Sequence, residues 1–137
     1  MSQTNLVSLE EGKKLMAKMA SCSNPESKLQ QSCVKAFRKA YPKYAGLLFA
    51  IPNGGKRTAI TGRIMNAEGA LAGVPDLFLA VPSGSYHGMF IEMKWGKNKP
   101  SPEQEAFLSA VMIAGYKTLV CYSFDEFFKE VADYLPK

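Results

Sequence analysis

Three charged side chains stand out because apolar, strand-like sequence surrounds them: Asp76 in "GVPDLFLAV", and Glu92 and Lys94 in "GMFIEMKWGK". Side chains on a strand alternate faces, so Glu92 and Lys94 point one way while Ile91, Met93 and Trp95 point the other. Asp76 opens the preceding run, and the linker "PSGSYHG" is short enough to make the two runs antiparallel neighbours. That pairing brings Asp76 and Glu92 to one end of a sheet, with the Met93 backbone carbonyl beside them. Two carboxylates brought together repel and raise each other's pKa unless a cation lies between them. An oxygen cluster of this kind suits a hard divalent ion such as Mg²⁺ or Mn²⁺. The lysine could then orient a water or offset negative charge developing on a phosphate. A surface salt bridge between the strands accounts for the same spacing.

Other residues fit the same chemistry. In "PNGGKR", Asn53, Gly54, Gly55, Lys56 and Arg57 could cradle a backbone phosphate, because glycines admit main-chain N–H groups and the two cations add charge. A plain turn with solvated cations is the alternative. Lys97 and Lys99 of "KNK" follow the acidic motif closely, so the basic excess is uneven along the chain. His87, the single histidine, sits in a turn and reads as a loop residue rather than a ligand. Trp95 reads as packing on the reverse face of the sheet in preference to stacking on a base. No Gly-rich nucleotide loop and no Ser/His/Asp order appears, which leaves kinase, dehydrogenase and hydrolase-triad chemistry without support.

The elements that would position these groups follow from periodicity and punctuation. Residues 8–20 space Leu9, Leu15, Met16 and Met19 as an amphipathic helix. Pro25 opens a second helix with a Leu29, Cys33, Val34 and Phe37 stripe that ends near Tyr41-Pro42. "LLFAI" is a short strand closed by "PNGG", and residues 58–68 form a short helix ending at Gly69. After the two central strands, Ser101-Pro102 starts a helix to about Ala114, "KTLVCY" is a last strand, and residues 124–135 a last helix. The order helix, helix, strand, helix, two strands, helix, strand, helix predicts an α/β sandwich around a mixed sheet.

Length and composition agree with one globular domain: 137 residues, 47% hydrophobic, 21% charged, net charge +5. The charge by itself says only that an anionic partner is tolerated. No stretch approaches the ~18 uncharged apolar residues of a membrane span, and charges interrupt the N-terminal apolar residues, so a cytoplasmic location is expected. Cys22, Cys33 and Cys121 are odd in number and widely spaced, and read as reduced thiols rather than a disulfide framework or a zinc site.

Taken whole, "IPNGGKR...GVPDLFLAV...GMFIEMKWGKNKPSPEQ" resembles the virus-type replication-repair nuclease domain, VRR-NUC, within the PD-(D/E)XK nuclease superfamily, over about residues 26 to 135. Pro75-Asp76, then Glu92-Met93-Lys94, match the superfamily motif. The resemblance implies a restriction-endonuclease-like α/β/α sandwich: a nuclease core at residues 25–135 behind a helical extension at 1–24. It implies that Asp76 and Glu92 hold Mg²⁺ or Mn²⁺ and that Lys94 assists phosphodiester hydrolysis. Glu26, in "ESKLQ", looks like the family's acid facing the metal, although a first-turn glutamate is also favoured by the helix dipole. Gln30, one turn on, could bond a site group or face solvent. Gln104, in "SPEQ", is similar to a family position near the catalytic lysine. The basic residue usual near Met65-Asn66 is missing, and Arg63 stands in for it.

The implied activity is structure-selective cleavage of branched, Holliday-junction-like DNA in replication, repair or recombination, in a bacterial or phage-infected cell. No membrane and no small-molecule cofactor enter this reading. A homodimer is expected, with Phe124, Phe127, Phe128, Val131, Tyr134 and Leu135 forming a stripe wide enough to cover the sheet and leave apolar surface for a partner. The alternatives are another PD-(D/E)XK endonuclease, sequence-specific or mismatch-directed, and a nucleic-acid-binding module without catalysis.

Overall fold

The computed structural model describes residues 8–52 and 59–137. Its elements are α1 (Leu9–Ala20), α2 (Pro25–Ala40), a 3₁₀ turn (Pro42–Leu47), β1 (Leu48–Ala50), α3 (Ala59–Ala67), β2 (Leu77–Leu79), β3 (Met89–Met93), α4 (Pro102–Ile113), β4 (Lys117–Cys121) and α5 (Phe124–Tyr134). The order is the expected one; the 3₁₀ turn is the addition.

Local chemistry sets the helix ends. Ser8 and Glu11 cap α1 reciprocally, side chain to backbone at 3.2 and 2.9 Å. Pro25 occupies the first turn of α2, where its missing N–H costs nothing, and the Asn24 side chain accepts from the Ser27 amide. α2 stops because Tyr41 precedes a proline, and its backbone leaves the helical region.

The sheet runs β1-β2-β3-β4, with β1–β2 and β2–β3 antiparallel and β3–β4 parallel, the last pair joined through α4. Alternation divides its residues between two layers. Leu48, Leu77, Leu79, Met89, Ile91 and Met93 are fully buried in the core that Leu29, Cys33 and Phe37 of α2 and Phe127 and Val131 of α5 complete. α1 joins this side through Met19, and Trp95 packs against the same core. On the other face, Phe78 and Phe90 lie 4.6 Å apart, and Phe90 meets Phe107 of α4 edge-on at 5.4 Å. The result is a mixed four-stranded sheet between helical layers.

One expectation is corrected here. The α5 stripe is used up by the core: Phe124, Phe127, Val131, Tyr134 and Leu135 are all buried and Phe128 packs against them. Tyr134 also ties α5 to the sheet side, its hydroxyl donating to the Val81 carbonyl at 2.6 Å. Of this stripe only Phe128 stays partly exposed, too little apolar surface to make a partner's face by itself. No helix among the described residues is long and apolar enough to cross a membrane.

Candidate active site

The β2–β3 register pairs Leu77 with Ile91. One step further sets Asp76 opposite Glu92, on the face that carries Phe78 and Phe90. Directly opposed cross-strand side chains have Cβ atoms only ~5 Å apart, and like charges there are destabilising. The structure nevertheless buries Glu92 to 2% exposure, which makes it the one buried charged residue of the described chain. Burying an unpaired carboxylate costs several kcal/mol, so its partners decide what the site is.

Glu92 Oε2 takes two of them: Lys94 Nζ at 3.3 Å and Gln104 Nε2, which donates at 3.0 Å. Glu92 Oε1 is buried and has no hydrogen-bond partner. Asp76 is anchored from the strand opposite, where the Met93 amide donates to its Oδ2 at 2.7 Å. Met93 therefore enters the site through its N–H, whereas the sequence points only to its carbonyl.

Titration follows from this geometry. Burial, then the charge of Asp76, push the Glu92 carboxyl up to about 7 against the attraction of Lys94. Burial also raises Asp76, opposed by the hydrogen bond from the Met93 amide, by hydrogen bonding with the Glu92 carboxyl and by the charge of Lys94. The pair thus holds protons more tightly than two free carboxylates would.

Gln104 is placed by its own helix. Ser101 caps α4, accepting from the Gln104 amide at 3.2 Å, while Gln104 Oε1 accepts from the Ser101 amide at 2.8 Å. The capping geometry leaves Nε2 as the donor aimed at Glu92. Gly73 permits the approach of the preceding loop: its φ is +91°, and a Cβ there would lie 2.6 Å from the Glu103 carbonyl oxygen in the first turn of α4.

Glu26 belongs to the first turn of α2. Burial raises its pKa, Lys94 lowers it and Asp76 raises it, so it shares the field of the pair. Among the described residues, however, no three His, Cys, Asp or Glu side chains gather closely enough to hold a metal ion, so Glu26 does not close a trio with Asp76 and Glu92. Beside Asp76 opens a cavity of about 890 Å³, lined along α2 by Glu26, Gln30, Gln31, Lys35 and Arg38 and on the strand side by Ala50, Ile51 and Pro52.

Asp76, Glu92, Lys94 and Gln104 are thus brought together, with Glu26 and Gln30 on the adjoining cavity wall. Lys97 and Lys99 are exposed after β3 and Arg63 is exposed on α3; none of the three lines this cavity. Asn53, Gly54, Gly55, Lys56 and Arg57 lie outside the described residues, although Pro52 just before them does line it. His87 is a loop residue: its amide donates to the Gly115 carbonyl at 2.9 Å and its ring meets Tyr116 edge-on. Lys35 and Arg38 were not singled out from the sequence. The signal available was the charge of α2, with four bases against one acid.

The donor set fits a hard divalent cation. It offers oxygens only, one of them buried and unpartnered, in a pair whose mutual repulsion a cation would relieve. A profile of the VRR-NUC domain matches residues 24–125. A solved structure described as a "VRR_NUC domain protein" superposes with a TM-score of 0.70 at 21% identity, covering 82% of this chain and 92% of that one. No curated protein matches the chain.

Proposed function

The chain belongs to the VRR-NUC domain family of nucleases, and on that premise we propose that it is a divalent-metal-dependent DNA endonuclease whose site is Asp76, Glu92 and Lys94 with Gln104. The observation that carries this reading is the buried Glu92. One of its oxygens is held by Lys94 and Gln104, the other is buried without a partner, and Asp76 stands opposite across the strands.

In this reading Asp76, Glu92 and the Met93 carbonyl hold Mg²⁺ or Mn²⁺, with Glu26 at a longer range. The bound ion would supply Lewis-acid polarisation of a phosphate oxygen and of the attacking water. The chain's residues do the rest. Lys94 orients the water and offsets negative charge developing on the phosphate. Gln104 fixes the rotamer of Glu92, and the Met93 amide fixes Asp76. The all-oxygen set disfavours zinc, which prefers nitrogen and sulfur.

Branched, junction-like DNA is the substrate we favour, with Asn53 to Arg57, Arg63, Lys97 and Lys99 as further phosphate contacts. Paired incision of a two-fold junction is most simply made by two chains about a two-fold axis. Such a dimer would have to use more surface than the α5 stripe, of which only Phe128 stays partly exposed. The family match beginning at residue 24 supports treating residues 1–24 as an extension on a single nuclease core.

The test is incubation of labelled hairpin, flap, nicked, linear and four-way DNA with Mg²⁺, Mn²⁺ or chelator, with light scattering for assembly. Cleavage confined to the metal-containing reactions and lost in Lys94→Ala is expected. Full activity in chelator would end the metal reading, and binding without cleavage in every metal would return the non-catalytic one.

A further inference from the structure

The cavity beside Asp76 continues well past the carboxylates, and its far wall is built from a different kind of residue. Ser27, Gln31, Lys35 and Arg38 follow one another at helical spacing along α2, on the side that lines the cavity. Glu26 stands at its active-site end, and no other acid of α2 follows. The helix carries Lys28, Lys35, Arg38 and Lys39 against that single glutamate, so 16 residues supply three of the chain's net charge of +5.

Neither lining cation is neutralised within the described chain: the ion pair found there is the Lys94–Glu92 one. Arg38 is oriented, its Nη2 donating to the Leu48 carbonyl of β1 at 3.0 Å, which holds the guanidinium against the groove wall. Lys35 is exposed beside it. A concave surface whose cations lack acidic partners is suited to a chain of phosphates.

We propose that this groove seats the substrate strand on one side of the cut, with Lys35 and Arg38 binding its phosphates. The proposal rests on the nuclease reading of the Asp76–Glu92 site and adds the path of the strand to it. At 1.5 Å per residue, Lys35 lies ~13 Å and Arg38 ~18 Å along α2 from Glu26. Against a rise of ~3.4 Å per nucleotide, these cations meet phosphates roughly four to five nucleotides from the bond that is cut. The described lining contains no aromatic side chain on which a base could stack. The grip proposed here is therefore on the phosphates, through the two cations.

The experiment measures binding and cutting separately. Fluorescence anisotropy with fluorescein-labelled four-way DNA in EDTA, over a range of salt, follows binding with no strand cut. Lys35→Gln with Arg38→Gln should weaken binding on the order of tenfold and reduce the slope of log affinity against log salt by roughly 2, one per lost phosphate contact. Lys35→Glu alone should reduce it by about 1 or more, and serves if loss of the Arg38–Leu48 bond unsettles β1. Lys39→Glu, the same charge change as Lys35→Glu on the same helix away from the groove, should leave the slope unchanged. In Mg²⁺ or Mn²⁺, substrates shortened to fewer than four nucleotides on one side of the cut should lose the difference between wild type and the double variant. Cleavage by wild type with an unaltered slope in Lys35→Glu would overturn the groove and leave the nuclease reading standing. A wild type that binds through Lys35 but cuts nothing would do the reverse.

Discussion

Glu92→Gln should make the metal-free protein more stable at pH 8 while abolishing its response to metal. The substitution keeps the size of a side chain that is 2% exposed and removes the charge that Asp76 opposes. The native carboxyl sits at about 7 against an ordinary value of 4.5. At 1.36 kcal/mol per pH unit, that difference is worth about 3 kcal/mol. Screening at the open side of the site and the loss of the Lys94 attraction reduce the figure to about 2 kcal/mol.

The sign follows from which state holds the proton. The native state keeps it where the unfolded chain has already released it, so the contribution is whole below 4.5 and is lost as pH rises to about 7. In chelator, wild type should therefore lose melting temperature between those values, and Glu92→Gln should lose much less. Asp76, raised for the same first reason, adds a smaller loss in the same direction. At pH 8 the variant should melt roughly 6 to 10 °C above wild type, given ~3 to 5 °C per kcal/mol for a chain of this length. Mn²⁺ at a hundred times its dissociation constant should stabilise wild type by about 2.7 kcal/mol and the variant by little. Scanning calorimetry from pH 4 to 9, with EDTA or Mn²⁺, reads all of this. A variant that melts at or below wild type at pH 8 in EDTA, with the same slope against pH, would refute the repulsion argument.

Asp76→Ala should lose Mn²⁺ binding by titration calorimetry, whereas Lys94→Ala should keep it and lose cleavage; unchanged Mn²⁺ binding in Asp76→Ala would remove that residue from the ligand set. Gly73→Ala puts a Cβ 2.6 Å from the Glu103 carbonyl at a positive φ, so it should destabilise by about 2 to 4 kcal/mol and lower kcat by displacing Gln104 from Glu92, measurable by urea unfolding and single-turnover cleavage. Phe127→Ala, at a fully buried core position of α5, should cost about 3 to 5 kcal/mol and leave the metal affinity of the folded fraction unaltered.

What could be read without coordinates was whatever depends on neighbours along the chain. Pro25, Pro42 and Gly115 punctuate helices through their own backbone limits, so the order of elements follows from them. The approach of Asp76 to Glu92 was legible because a short connection forces antiparallel pairing, and strand alternation then places Lys94 on the same face as Glu92. The shared-motif resemblance pointed to Gln104, but not to its two roles, capping α4 through one amide atom and holding Glu92 through the other. The remainder was decided by packing between distant segments. Helical periodicity shows which side of α5 is apolar, yet only the assembled core reveals that Phe124, Phe127, Val131, Tyr134 and Leu135 are used up there. Lys35 and Arg38 look in sequence like solvated charges on an amphipathic helix. They become a groove wall because Leu29, Cys33 and Phe37 bury the opposite face of α2 and turn these cations toward Asp76. Whether a buried oxygen has a partner is likewise a property of the whole fold, and no local rule assigns Glu92 Oε1 its isolation.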